Sequence, residues 1–377
     1  MVLTGRTAVI ALIAVLPIAV APWPATVFLI CGLALSVAVG VDVMLAGRPA
    51  DLRSVRSGPT TARLGQQVDA IVQVRNHGRR RLRGVLRDAW PPSAAATPRH
   101  HPVDVKPGDS VSVSTRLRPL RRGDLHSAEL TVRSFGPLGL AGRQTSTTLP
   151  GSVRVLPPFL SGKHLPSGLA RLREIGGLLP ALVRGQGTEF DSLREYVIGD
   201  DVRSIDWRAT ARRSDVVVRT WRPERDRRVV IVVDTGRTSA GRVGVDPTSG
   251  DPGGWPRLDW SLDAALLLAA LASKAGDHVD FLAHDRVTRA AVTDARRTEL
   301  LPRLVEAMAP LEPALVESDS AGMVAAILRR VRRRALVVIL TDLNPSALEE
   351  GLLPVLPRLT SRHEVLLASV SVPRIAE

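Results

Sequence analysis

The chain has 377 residues, with 51 Lys+Arg against 37 Asp+Glu and a formal net charge of +14, a length that calls for two or three folded units. Aromatic residues make up 3% of it and there is one cysteine, Cys31, inside an apolar run; a base-stacking single-strand binder, a disulfide framework, a Cys-based zinc site and an iron–sulfur centre are thereby excluded. With 45% hydrophobic and 23% charged residues, most of the chain is expected to fold. Only Lys106, Lys163 and Lys274 among the basic residues are lysines, so the excess is arginine in the manner of a GC-rich coding background, and nucleic acid is not an expected partner.

Residues 7–21 and 25–41 carry no charge, and Pro22, Trp23 and Pro24 separate them. Prolines stop a helix and push the preceding residue to extended geometry, so the pattern predicts a transmembrane helical hairpin over 1–48, with helices at about 7–21 and 25–46. Each run is at the short end of the roughly 20 residues a bilayer core requires. Trp23 suits the headgroup level. Arg6 before the first run and Arg48, Arg53 and Arg56 after the second put both ends in the cytoplasm. A signal peptide ending near Ala19–Ala21 and a buried soluble hairpin are the competing readings.

From 49 to 158 the periodicity changes to two. Val68, Ala70, Val72 and Val74 alternate with polar neighbours, as do Val111, Val113, Thr115 and Leu117, then Leu130 and Val132, then Val153 and Val155. Turn chemistry at Asn76-His77-Gly78, Pro107-Gly108-Asp109 and Arg122-Gly123-Asp124 separates these strands, which predicts an antiparallel β-sandwich domain. Eleven Lys/Arg and four Asp lie between Arg79 and Asp124. That excess reads either as a solvated strand face or as a patch meeting anionic lipid.

A connecting segment over 159–225 contains the densest stretch, 187–222. Eight acidic and seven basic residues lie between Glu189 and Glu224, with Phe190, Tyr196, Trp207 and Trp221 among them. Arg194, Arg203, Arg208 and Arg212 are fork-shaped donors for Glu189, Asp191, Asp200, Asp201 and Asp206, and the aromatics are expected to anchor the segment to a core. A structural network, a docking surface and paired-acid catalysis all remain open for it.

The run resembles the signature of the bacterial family catalogued as domain of unknown function 58 (DUF58). Gly187, Glu189, Phe190, Leu193, Arg194, Tyr196, Gly199, Asp200, Arg203, Ile205, Asp206, Trp207, Ala211 and Arg212 follow its order and spacing. Arg121-Arg122-Gly123 and the run Pro137 to Leu140 resemble its upstream elements.

Beyond 226, apolar strands alternate with helices. Strands are expected at 229–233, 278–283, 287–292, 335–341 and 364–370, and helices at 258–274, 296–308, 320–333 and near 346–356. The alternation predicts a mostly parallel α/β sheet with ligands at the carboxyl ends of its strands, where Asp234 and Asp342 fall. The resemblance implies a C-terminal α/β von Willebrand factor A-like (Rossmann-type) domain over 226–377. Such domains often hold a divalent cation on Asp-x-Ser-x-Ser, a loop threonine and a later aspartate, an oxygen set suited to Mg²⁺. Here the motif is Asp234-Thr235-Gly236-Arg237-Thr238. Asp234, Thr238, Ser318 (or Ser320) and Asp342 supply oxygens, while Gly236 removes one and Arg237 adds a cation, so the site is degraded. The loop 236–257 has six glycines and three prolines and reads as a lid or a solvated insertion.

The expected function is a membrane-anchored, multi-pass, non-enzymatic interaction or assembly protein with cytoplasmic soluble domains. By resemblance its partners are a MoxR-type AAA ATPase and a transglutaminase-like membrane protein. The alternatives are a metal-dependent hydrolase using Asp234 and Asp342 and a basic membrane-surface sensor.

Overall fold

The computed structural model describes residues 1–178, 189–198, 200–212, 215–222, 227–345 and 348–370. The chain divides into two compact units, Met1–Leu156 and Pro157–Glu377.

The first unit opens with β1 (Val2–Leu3), α1 (Gly5–Ile13), α2 (Val15–Val20) and α3 (Pro24–Leu45). The first apolar run does not form one straight helix. Pro17 has no N–H for residue 13 and crowds its carbonyl, and the helix is interrupted at Ala14. Gly5–Val20 is a shorter apolar helix, whereas among the described residues one helix, starting at Pro24, is long and apolar enough to cross a membrane. Its 22 residues rise about 33 Å. Within α3 only Val39 and Asp42 are buried, while Phe28, Leu29, Ile30, Leu33 and Val37 are exposed, the reverse of a soluble core helix.

The strands of this unit are β2 (Leu52–Ser57), β3 (Thr61–Arg63), β4 (Val68–Asn76), β5 (Leu82–Asp88), β6 (His101–Val105), β7 (Ser110–Leu117), β8 (Gly123–Phe135) and β9 (Ala141–Leu156). They make a three-stranded sheet, β2-β4-β7, and a six-stranded sheet, β1-β9-β8-β5-β6 with β3 on β9. The alternation of β4 has its physical cause in burial: Ala70, Val72 and Val74 are buried and the intervening residues exposed. Val72, Val74 and Val113 from one sheet and Leu82, Leu86, Val103, Val105, Leu130 and Val132 from the other share one hydrophobic cluster. The pairing is not purely antiparallel, since β3 runs parallel to β9. The chain leaves β2 through Gly58, at φ +148°, and reaches the exit end of β9 in the same direction.

A buried ion pair crosses this unit. Arg56 donates to both oxygens of Asp88 at 2.7 Å, with Ser127 also donating to that carboxylate at 3.0 Å. By contrast, Arg81–Asp104, Arg116–Asp69 and Arg154–Asp124 are surface pairs, of a kind worth little to stability.

In the second unit, α4 (Leu165–Leu178) precedes the hairpin β10 (Glu189–Glu195) and β11 (Val217–Arg222), with the single turn α5 (Trp207–Thr210) between its strands. There follow β12 (Arg228–Asp234), β13 (Arg242–Val243), β14 (Trp255–Pro256), α6 (Arg257–Ala275), β15 (His278–His284), β16 (Thr288–Val292), α7 (Arg297–Met308), α8 (Ser320–Arg330), β17 (Leu336–Leu340), α9 (Leu356–Thr360) and β18 (Glu364–Ala368). The sheet order is β16-β15-β12-β17-β18, parallel except for β16. Successive β12 side chains serve opposite layers. Val229, Ile231 and Val233 pack with Leu258, Leu262 and Leu266 of α6 and Leu300, Leu304 and Met308 of α7. Val230 and Val232 pack with Met323, Val324 and Ile327 of α8 and Leu359 of α9. A strand covered on both faces reads as a continuous apolar run for this reason.

Two helix expectations shift. The helix over 320–333 ends at Arg330, and Arg334 pairs with Glu364 instead. The helix near 346–356 is broken into a π-helical turn at Leu348–Leu352 and the short α9, because Pro354 and Pro357 lack the N–H that would continue a helix from the preceding residues.

Candidate functional site

Chain order reverses about β12: β15 and β16 lie on one side of it, β17 and β18 on the other. Crevices outside the carboxyl ends of strands at such a reversal are where open α/β sheets bind ligands. A cavity of about 440 Å³ lies there, and Asp234, Thr238, Ser318 and Asp342 all line it, with Arg237, Glu317, Ser320, Thr341 and Glu350. Four residues separated by as many as 108 positions are thus brought together by the ends of β12 and β17 and the loop before α8.

Asp234 is buried and accepts three hydrogen bonds. Gly236 N–H donates to Oδ1 at 2.8 Å, the Ser318 hydroxyl donates to the same oxygen, and the Thr341 hydroxyl donates to Oδ2 at 2.7 Å. Gly236 matters sterically: a Cβ there would collide with Ser318 Oγ. A hydroxyl brought in by another loop occupies the space that a serine at position 236 would fill.

Asp342 is engaged differently. Arg257, at the start of α6, forms an ion pair with it, and the two side chains are 17% and 21% exposed. Arg257 also donates to the Thr238 carbonyl at 3.0 Å. Arg237, on the cavity rim, forms an exposed pair with Glu317 at 3.3 Å.

The donor set does not fit a resident divalent cation. One carboxylate already accepts from two hydroxyls and an amide, the other carries a guanidinium, and position 236 offers no hydroxyl. No group of three or more His, Cys, Asp or Glu suited to a metal occurs among the described residues.

A neighbouring carboxylate supports the site from behind. Asp285 is fully buried and accepts from Arg286 N–H, Val287 N–H, Arg289 Nε and, at 3.2 Å, the Thr235 hydroxyl. Burial pushes its pKa up, but the Arg289 guanidinium and the two amides outweigh this and hold it below the usual carboxylate range. His284, beside it, is buried with neither ring nitrogen hydrogen-bonded, and burial lowers its pKa. Sequence reading missed Thr341, Arg257 and Asp285. Thr341 had a signal, a hydroxyl directly before Asp342 at a strand end; the other two had none.

The loop 236–257 is a largely exposed but ordered insertion. Trp255 is buried and meets Trp260 edge-on at 5.0 Å, Trp260 Nε1 donates to the Val243 carbonyl at 3.1 Å, and β13 pairs with β14. Only Arg237 and Thr238 from this loop reach the cavity.

The signature residues do not line the cavity. Glu189 and Phe190 pair in register with Arg222 and Trp221, and Gly187 and Gly199 lie outside the described residues. Arg194 pairs with Asp200, which also accepts from Val197 N–H at 3.0 Å. Tyr196 N–H donates to the Val216 carbonyl at 2.8 Å, and Asp201 caps Arg203 N–H. Asp206 caps α5 through Arg208 and Ala209 N–H and accepts from Arg219 Nε at 2.8 Å. Arg219 was not among the expected forks. Trp207 stays 68% exposed rather than anchoring the segment. Arg203, Arg208 and Arg212 are exposed.

Residues 192–377 match the family described as "Protein of unknown function DUF58". Curated relatives include "Uncharacterized protein Rv1480" of Mycobacterium tuberculosis (strain H37Rv) and "Uncharacterized protein Mb1516" of Mycobacterium bovis. Each is 30% identical over 200 residues, covering 52% of this chain and 59% of the relative, so the chain spans under two thirds of their length. Among solved structures, a β-glucosidase from Listeria innocua is 14% identical over 26% of this chain and 15% of its own, with a TM-score of 0.17. A GH20 exo β-N-acetylglucosaminidase from Vibrio harveyi is 9% identical over 78% and 57%, with a TM-score of 0.19. Likenesses that weak carry no argument about fold or activity. The family match and the mycobacterial relatives together support the DUF58 family.

Proposed function

With a DUF58 match over its C-terminal half as premise, we propose that the chain is a membrane-anchored, non-enzymatic interaction protein that docks partner proteins. In this reading α1–α2 and α3 form a two-helix membrane hairpin with both ends cytoplasmic, the two sheets of the first unit form a β-sandwich, and the second unit is von Willebrand factor A-like. The proposed partners are a MoxR-type AAA ATPase and a transglutaminase-like membrane protein.

One observation carries the docking reading. The cavity carboxylates are committed as acceptors, Asp234 to Gly236, Ser318 and Thr341 and Asp342 to Arg257, while the exposed rim holds Arg237 in only a loose pair with Glu317. Carboxylates so engaged are poor general bases, and an exposed rim arginine is a ready fork for a partner's acid. The partner's carboxylate pairs with Arg237 directly and no metal bridge is needed.

The test is a mild-detergent pull-down of tagged full-length protein from native membranes. An ATPase partner retained in EDTA and lost from Arg237→Glu supports metal-free docking at this rim. Retention by Arg237→Glu places the docking elsewhere, and loss in EDTA restores the Mg²⁺-bridged version.

A further inference from the structure

The signature hairpin has a feature that its internal hydrogen bonds do not use. Val197, Ile198, Val202, Trp207 and Val216 are 60%, 97%, 63%, 68% and 41% exposed, although all lie within twenty residues of sequence. Backbone bonds gather them at one end of the β10–β11 hairpin. Tyr196 N–H reaches the Val216 carbonyl and Asp206 N–H reaches the Val217 carbonyl, both at 2.8–2.9 Å, which sets Val197 and Trp207 beside the start of β11. Ile205 bridges to Val218 and brings the turn that begins at Val202 to the same end.

Most acidic groups around this end are bonded within the hairpin, exposed Asp215 beside Val216 being the exception. Asp200, Asp201 and Asp206 turn to local amides and to Arg194 and Arg219. The exposed guanidiniums of Arg203, Arg208 and Arg212 take part in no ion pair among the described residues. An exposed tryptophan and aliphatic side chains, interspersed in sequence with the exposed Arg203, Arg208 and Arg212, have the chemistry of the bilayer interface, where tryptophan sits at the headgroups and arginine meets anionic lipid.

We propose that the open end of the β10–β11 hairpin is a second lipid-contact site, seating Val197, Ile198, Val202 and Trp207 among the headgroups of the anionic bilayer that holds α3. It rests on the membrane-spanning reading of α3, which keeps a bilayer tethered to the chain at high effective concentration. Lipid is favoured over a protein occupant on two grounds: that tether, and the charge complementarity of three arginines to anionic headgroups.

The test uses full-length protein carrying Cys31→Ser and Ile198→Cys, labelled with an environment-sensitive fluorophore. Position 198 is 97% exposed, so the exchange leaves the core intact. The protein is placed in nanodiscs of phosphatidylcholine alone, or of phosphatidylcholine with phosphatidylglycerol. The expected result is a blue shift of emission in the phosphatidylglycerol discs, reversed by added salt and absent in the combined Arg203→Gln, Arg208→Gln, Arg212→Gln variant. Equal emission in both discs overturns the proposal. So does a blue shift indifferent to salt and to the arginine substitutions, which means a protein surface covers the patch. A chain that fails to co-elute with discs overturns the spanning reading as well, whereas co-elution with unchanged emission overturns this site alone.

Discussion

Asp42 and Asp234 are both buried carboxylates that accept three hydrogen bonds from the protein, yet one closes a structure and the other edges a cavity. Asp42 lies on α3 at 0% exposure. It accepts from Leu138 N–H at 2.7 Å, Leu140 N–H at 2.7 Å and Ala141 N–H at 2.9 Å. The Thr4 and Thr7 hydroxyls close the same turn from α1 by donating to the carbonyls of Gly139 and Leu140. All its donors are amides of one short turn, so the arrangement is a clamp between the apolar helix and the sheet. Two of the three donors to Asp234 are hydroxyls on other segments, Ser318 and Thr341, and a cavity opens beside it. A carboxylate satisfied by one contiguous turn fixes geometry; one satisfied by separate loops leaves an adjustable surface between them.

The clamp is the place where a substitution should cost most. Asp42→Ala leaves two buried amides and a partly buried one without an acceptor, at about 1–3 kcal/mol for each buried amide. Gly136→Ala drives a methyl into the Asp42 side chain and backbone. Both variants should lose several degrees of melting temperature in detergent and gain protease cleavage near 136–141. Unchanged protection there would remove the clamp from the comparison.

On the cavity side, Gly236→Ala should destabilise by about 2 kcal/mol through overpacking against Ser318 Oγ, and Ser318→Ala in the same chain should recover part of it. A double-mutant cycle reads this directly; strict additivity would mean that the two residues do not compete for the same space. A smaller loss, about 1–2 kcal/mol, is expected for Arg257→Ala, which frees Asp342. In wild type, neither Mg²⁺ nor EDTA should move the melting temperature, and a Mg²⁺-dependent rise would show that the guanidinium does not fill the site.

The last effect concerns pH. Burial lowers the pKa of His284 and His363 below the ordinary 6.5, so as pH falls through 6.5 the unfolded chain takes up protons that the folded chain refuses. Stability present above pH 6.5 is then lost on acidification, by at most about 1.4 kcal/mol per pH unit for each histidine. Thermal melts between pH 7 and 5 should show this slope, reduced in His284→Gln.

Much of this was legible in the residues. The apolar helix starting at Pro24, the alternation of β4 and the continuous run of β12 follow from local periodicity, because burial repeats along the chain at the period of each element. The interruption of the first helix is legible too, in Pro17. The site was legible in part: Asp234 and Asp342 were placed at strand ends by pattern alone. Arg257 was not, because its pairing with Asp342 spans 85 positions and depends on where α6 begins. Ser318 was noted only as a stand-in, and its fit beside Gly236 exists only once the loop before α8 reaches β12.

By itself the sequence determined the identity of the elements and their order, since helix, strand and turn preferences are set within a few residues. Only the tertiary structure decided which charges meet. Asp42 on the Pro137–Leu140 turn, Asp234 with Ser318 and Thr341, and Asp342 with Arg257 are all contacts between distant segments. A carboxylate's partners are chosen by the packing that removes water around it, and no local pattern records that choice.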